Sequence, residues 1–157
     1  FDGLFEKFKA LTVLRVSYMP PGKLGDDEFN VAPHTDGSFV TLLATSDHPG
    51  LEILSPSGRW IPMPLIPNSF IVNSGDLLTR WSNGRVRSTP HRVINRSGEK
   101  RYSVPLFVQP TANTIIDCLP TCHGPDNPPK ERPIACADYL HWYMRENFAL
   151  GEQNYET

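Results

Sequence analysis

The fold is decided by residues 38–73. They read Ser38-Phe39-Val40-Thr41-Leu42-Leu43-Ala44-Thr45, then Leu51-Glu52-Ile53-Leu54, Arg59-Trp60-Ile61-Pro62-Met63 and Ser69-Phe70-Ile71-Val72-Asn73. Turn-forming residues separate these runs: Asp47-His48-Pro49-Gly50 and Pro56-Ser57-Gly58. Runs this short, rich in β-branched and aromatic residues and bounded by Gly, Pro and Asp, read as strands.

The same grammar continues on both sides. Leu11 to Met19 alternates like a strand and stops at Pro20-Pro21-Gly22; His91 to Asn95 and Arg101 to Gln109 are further β-like runs, separated by Arg96-Ser97-Gly98. Sixteen prolines and eleven glycines punctuate the 157 residues, as expected of many short strands joined by turns. Helical signals lie mostly at the ends. Asp2 to Lys9 places Leu4, Phe5 and Phe8 at helical spacing, and Gly75 to Trp81 can form one or two turns. Asp138 to Phe148 sets Leu140, Met144 and Phe148 four residues apart with Tyr143 beside them, an amphipathic helix packed on the outside of the sheets. At least seven strands predict a mainly β domain, a jelly roll or small barrel, with a short N-terminal helix and a C-terminal helix.

Bulk properties exclude several function classes. A net charge of -2 argues against general nucleic-acid binding, which needs a basic excess or stripe. No apolar run approaches the roughly 20 residues of a membrane helix, and the charged first ten residues do not resemble a signal peptide. Three cysteines make a disulfide framework unexpected, and the reading is a reduced, cytoplasmic protein with no evident partner protein. The chain starts at Phe1 and reads as part of a longer protein.

Chemistry enters with His34-Thr35-Asp36. In extended backbone, positions i and i+2 share a face, so an imidazole and a carboxylate can meet one metal ion. Alone the pair is close to chance, about 0.3 occurrences in a chain of this composition. His91, heading its own β-like run, supplies a second imidazole. Two imidazoles and a carboxylate suit non-haem Fe(II) with open positions, although zinc accepts the same set. Arg101-Tyr102-Ser103 separates the two cases: a planar guanidinium with a hydroxyl on the same strand face is a carboxylate-binding device. The run from His91 to Arg101 reads as a hairpin turning over Asn95 to Lys100, which sets Arg101 on the strand beside His91. A dicarboxylate chelated to the metal at one end would then be gripped by Arg101 and Ser103 at the other. Cys118, Cys122 and His123 lack a convincing fourth ligand for zinc. Asn73, a polar residue ending an apolar strand, has two readings, a contact to substrate or a metal-bound water and, ahead of it, a turn or sheet-edge role.

Taken in order and spacing, His34-x-Asp36, His91 and Arg101-x-Ser103 resemble the isopenicillin N synthase-like family of Fe(II)/2-oxoglutarate-dependent dioxygenases. Pro33-His34-Thr35-Asp36, Val72-Asn73-Ser74-Gly75-Asp76 and Pro90-His91-Arg92-Val93 match the family's flanking words from about Leu11 to Pro110. The resemblance implies a double-stranded β-helix spanning 1–157 as the catalytic domain, the C-terminal half of a longer chain. It implies Fe(II) on His34, Asp36 and His91, 2-oxoglutarate on Arg101 and Ser103, and O2 as oxidant, with ascorbate as reductant. The activity it implies is hydroxylation, desaturation or cyclisation of a small organic metabolite, with release of succinate and CO2. The alternatives are a triad oxidase that does not use 2-oxoglutarate, and a non-catalytic cupin-like metal-binding domain. One departure stands out: where the family carries Asn-Tyr-Tyr-Pro, this chain reads Ser17-Tyr18-Met19-Pro20, so two residues that help position the co-substrate are replaced.

Overall fold

The computed structural model describes residues 3–5, 9–22, 24–25 and 27–148. Its strands are β1 (Val13–Leu14), β2 (Ser17–Met19), β3 (Val31–His34), β4 (Val40–Ala44), β5 (Leu51–Leu54), β6 (Trp60–Pro62) and β7 (Phe70–Ser74). Helix α1 (Asp76–Trp81) precedes β8 (His91–Val93), β9 (Arg101–Ser103), β10 (Pro105–Val108), β11 (Ile115–Ile116) and β12 (Ile134–Ala135), and α2 (Cys136–Asn147) closes the described chain.

Two four-stranded antiparallel sheets, β1-β10-β4-β7 and β3-β8-β5-β6, form the double-stranded β-helix. The runs quoted first become β4, β5, β6 and β7, with β4 against β7 and β5 against β6. Alternation then assigns faces. Thr41, Leu43, Ile71, Asn73 and Phe107 of the first sheet line a cavity shared with Val31, Leu51, Ile53 and Val93 of the second. The opposite faces of the first sheet carry a cross-strand apolar row, Leu14, Leu106, Leu42 and Val72, in direct register. Its two ends are open to solvent, with Leu14 62% and Val72 61% exposed.

The two long runs at Leu11–Met19 and Arg101–Gln109 differ from expectation. Each is broken in two, and the breaks lie opposite each other: β1 pairs β10 and β2 pairs β9 without a change of register. Pro105 has no N–H to give the ladder and restricts Val104 before it, so pairing lapses there. Arg15 sits at the break, its N–H on the Pro105 carbonyl at 3.0 Å. The expected hairpin from His91 to Arg101 is also corrected. β8 pairs with β3 and β5, whereas β9 pairs with β2. The connection is pinned instead by buried Asn95, whose N–H bonds Asn30 Oδ1 at 2.6 Å and whose Nδ2 bonds the Glu99 carbonyl at 2.7 Å.

Two apolar clusters hold the molecule. Met19, Leu51 and Val93 pack between the sheets. Leu77, Trp81, Ile116, Cys136, Tyr139 and Tyr143 pack outside them, under α2. The buried stripe of α2 is thus Cys136, Tyr139 and Tyr143, while Met144 and Phe148 are 38% and 40% exposed. Of the expected N-terminal helix, Gly3 to Phe5 form a turn and most of the rest lies outside the described residues. No helix among the described residues is long and apolar enough to cross a membrane.

Candidate metal centre and co-substrate pocket

His34 ends β3 and His91 begins β8, and the two are direct partners across the strand pair. Asp36 lies two residues beyond His34 in a loop, not on the strand, so strand periodicity does not place it. Hydrogen bonds do. The Asp36 carbonyl accepts from the Asp76 N–H at 2.7 Å, at the start of α1. Its carboxylate Oδ2 accepts from Thr41 Oγ1 at 2.7 Å and from Asn73 Nδ2 at 2.8 Å. The neighbouring Thr35 hydroxyl donates to Asp76 Oδ2 at 2.8 Å. Gly75 permits this close packing, because a Cβ there would overlap the Ser38 carbonyl oxygen and press on that of Asp36.

Oδ1 is left facing the two imidazoles. It lies 3.6 Å from His34 Nε2 and 3.6 Å from His91 Nε2, too far for hydrogen bonds. Each ring instead engages a backbone carbonyl through Nδ1: His34 with Ala32 at 2.9 Å and His91 with Thr89 at 3.1 Å. A carbonyl only accepts, so both Nδ1 atoms carry the proton and both Nε2 lone pairs face inward. Two nitrogen lone pairs and a carboxylate oxygen converging within 4.8 Å repel one another unless a cation sits between them. That donor set fits a single metal ion with the rest of its coordination open. Burial, then the proximity of His91, holds His34 below its ordinary pKa of 6.5. The ring is kept in the neutral form a metal requires. His34, Asp36 and His91 are the one such group among the described residues; Cys118, Cys122 and His123 do not form another.

Arg101 and Ser103 fall on the same face of β9, opposite Met19 and Ser17 of β2. Ser103 lines the triad's cavity. Arg101, 4% exposed, lies beyond its inner end, in a smaller cavity that shares Leu43, Leu51 and Ile71 with the first. The guanidinium donates to the His48 carbonyl at 3.2 Å and to Met19 Sδ at 3.4 Å. No carboxylate among the described residues pairs with it, and burial lowers its pKa. The turn that brings His48 close depends on Gly50, whose φ of +148° strains any side chain and where a Cβ would sit a tight 3.0 Å from the Ile94 carbonyl oxygen.

Asn73 and Thr41 are functional neighbours that the sequence did not disclose as such. Asn73 does lie on an edge strand, β7, but its side chain faces inward and holds Asp36. The available signal was parity, since Thr41 and Asn73 interrupt apolar strands at inward positions.

A double-stranded β-helix whose interior presents two imidazoles and a carboxylate, with a buried arginine at the far end, defines a mononuclear metal enzyme architecture. The chain belongs to the 2OG-Fe(II) oxygenase superfamily, whose family model matches residues 11–110. It is 35% identical over 155 residues to the 2-oxoglutarate-Fe(II) type oxidoreductase hxnY of Emericella nidulans, covering 97% of this chain and 44% of that protein. Kihadalactone A synthase LFS of Citrus sinensis is 45% identical over 112 residues, covering 69% of this chain and 33% of that one. Among solved structures, a full-length Neurospora crassa protein in complex with alpha-KG superimposes with a TM-score of 0.81 at 30% identity, covering 87% of this chain and 45% of that one. The chain therefore spans less than half the length of these relatives. Family membership makes Fe(II) and 2-oxoglutarate its cofactor and co-substrate.

Proposed function

We propose that residues 1–157 are the catalytic domain, the C-terminal half of a longer chain, of an oxygenase that oxidises a small organic molecule. In this reading His34, Asp36 and His91 hold Fe(II), and Arg101 with Ser103 binds the far carboxylate of 2-oxoglutarate. One observation carries it. Three convergent metal donors line a cavity, and beyond its inner end, in the smaller space adjoining it, lies a buried guanidinium with no carboxylate partner among the described residues. An isolated buried charge is costly, so the position calls for an anion that arrives with the co-substrate.

Held by these residues, Fe(II) with 2-oxoglutarate would supply O2 activation, the co-substrate being released as succinate and CO2. The chain's residues do the rest. Thr41 and Asn73 fix Asp36 with Oδ1 toward the metal, and the two backbone-bonded Nδ1 atoms fix the imidazoles. Arg101 binds and orients without transferring a proton. Leu43, Leu51, Ile71 and Val93 keep the cavity apolar and shield a reactive oxidant. The product is a hydroxylated, desaturated or cyclised metabolite, and the cysteine usage agrees with a reducing compartment such as the cytoplasm.

A second reading, an oxidase that keeps the triad but draws electrons from its substrate, is favoured by one contact. The Arg101 guanidinium already touches Met19 Sδ, which must swing aside for a carboxylate; methionine is flexible enough to do so. Succinate release with Fe(II), 2-oxoglutarate and ascorbate decides the matter. The expected result is turnover in wild type and its loss in His91→Ala. Equal succinate in both contradicts the proposal, and O2 uptake without 2-oxoglutarate supports the oxidase.

A further inference from the structure

The triad opens on its outer side into a second cavity, between the first sheet and α2. Arg15, His34, Asp36 and Phe107 line both spaces, so the two are continuous at the metal centre. The outer one is mostly apolar, walled along α2 by Leu140, which also packs against the outer core, and by the more exposed Met144 and Phe148 at its end. Its polar groups beyond the triad are few. Gln109 is 6% exposed, and its Oε1 has no hydrogen-bond partner among the described residues. Arg15 lies at the strand break, where the backbone turns from β1 toward β2, and its guanidinium rests over the Phe107 ring at 5.4 Å. No acid among the described residues pairs with Arg15. The other guanidinium near the site, Arg101, is at the opposite end and belongs to the co-substrate in the reading above.

We infer that Arg15 is a specificity-determining residue, and that the oxidised substrate is a small amphipathic carboxylic acid. Its apolar body lies on the α2 stripe and its carboxylate bonds Arg15 beside the metal. Arginine presents a planar fork to a carboxylate, and stacking on Phe107 holds that fork in place. A wall whose one arginine stands in a mostly apolar lining, with Ser38, Gln109 and Tyr143 as the other polar side chains beyond the metal ligands, selects an anion with a greasy body over a neutral molecule of the same shape. Gln109 offers an acceptor to any hydroxyl or N–H that the body carries. The inference rests on the proposed activity for the word substrate, but the binding preference itself does not require turnover.

The test uses 2-naphthylacetate and its primary amide, matched in shape and differing in charge. Affinities are measured anaerobically by ligand-observed NMR on the whole protein with Fe(II) and 2-oxoglutarate, and again without them. The acid should bind about ten-fold more tightly than the amide, the worth of a charge-assisted contact. Arg15→Gln should bring the two to near parity and Arg15→Lys should retain part of the preference, with melting temperatures confirming that both variants fold. Arg101→Gln should keep the discrimination. Parity in wild type, no measurable binding of the acid at millimolar concentration, or a preference that survives Arg15→Gln each overturns the inference. So does a preference lost in Arg101→Gln, or a 2-oxoglutarate affinity that falls in Arg15→Gln, since either assigns the carboxylate to the co-substrate. Discrimination that persists in a protein making no succinate sinks the proposed activity and leaves this site standing.

Discussion

Replacing Arg101 by methionine should move two measurable quantities in opposite directions. The guanidinium is 4% exposed, with a backbone carbonyl and a thioether as its recorded partners. When 2-oxoglutarate is bound, its far carboxylate becomes the missing counter-ion. Removing one partner of a desolvated charge pair costs about 2–5 kcal/mol. At about 1.4 kcal/mol per decade, the dissociation constant should rise from roughly 30-fold to several thousand-fold. Without co-substrate the balance reverses. The wild-type protein then carries a desolvated cation with no counter-ion among the described residues, and an apolar residue of similar volume in its place is neutral or stabilising by about 1–4 kcal/mol. The bond to the His48 carbonyl offsets about 1 kcal/mol of that. Anaerobic calorimetric titration with 2-oxoglutarate, paired with thermal melts of the ligand-free protein, reads both effects. A wild-type 2-oxoglutarate affinity in Arg101→Met would refute the reasoning outright. A collapse of the ligand-free melt would show that the arginine holds the fold rather than the co-substrate.

Asn73→Ala strips one of the two donors from Asp36 Oδ2, and metal affinity should fall about 10–100-fold with the melt little changed; unchanged affinity, by competition with a chromophoric chelator, contradicts the positioning role. Tyr139 and Tyr143 should respond with opposite signs to loss of their hydroxyls. The buried Tyr139 hydroxyl has no partner, so Tyr139→Phe should raise stability by about 1 kcal/mol, whereas Tyr143→Phe loses a 2.6 Å bond to the Thr35 carbonyl and should cost about 1 kcal/mol, both read by urea melts. Acid should weaken the metal-free fold through His34. Its pKa is lowered below 6.5 by burial and by His91, so the unfolded chain takes up the proton first. The contribution of His34 is therefore full above pH 6.5 and declines as pH falls through that value toward the folded pKa. His34→Gln should flatten this part of the stability profile, and an unchanged slope would contradict it.

Much of the fold was legible because strand periodicity and turn chemistry agreed over residues 38–73. The runs at β4 to β7 needed nothing beyond local rules. The long runs failed at Val104-Pro105 and Arg15-Val16, where an interruption in one strand imposes a matching interruption in its partner far away in sequence. A local pattern cannot report that coupling, although Pro105 was a usable warning. The His91–Arg101 hairpin failed for a related reason: strand partners are chosen by tertiary packing, and buried Asn95 carries the chain across to the other ribbon. On α2 the expected amphipathic helix forms outside the sheets, with Tyr143 and Leu140 at the core, but the spacing of Leu140, Met144 and Phe148 did not single out Cys136 and Tyr139 as its most buried residues. Tyr139 and Tyr143 fill the core with Leu140 packed against them, and Met144 and Phe148 line the outer cavity, whose wall Leu140 and Tyr143 share. At the site, His34, Asp36 and His91 converge as their types suggested. Asp36 arrives there through Thr41, Asn73 and the start of α1 rather than through strand alternation, and the local sign of those contacts is that Thr41 and Asn73 interrupt apolar strands at inward positions.

The central claim is that one cavity holds iron at His34, Asp36 and His91 and 2-oxoglutarate between that metal and Arg101. Anaerobic addition of Fe(II) and then 2-oxoglutarate, followed by visible absorption, tests it most directly. The account predicts a weak charge-transfer band that saturates at equimolar metal, is absent in His91→Ala, and needs far more 2-oxoglutarate in Arg101→Met. Bound iron with no band at saturating 2-oxoglutarate, or a band indifferent to both substitutions, would contradict it.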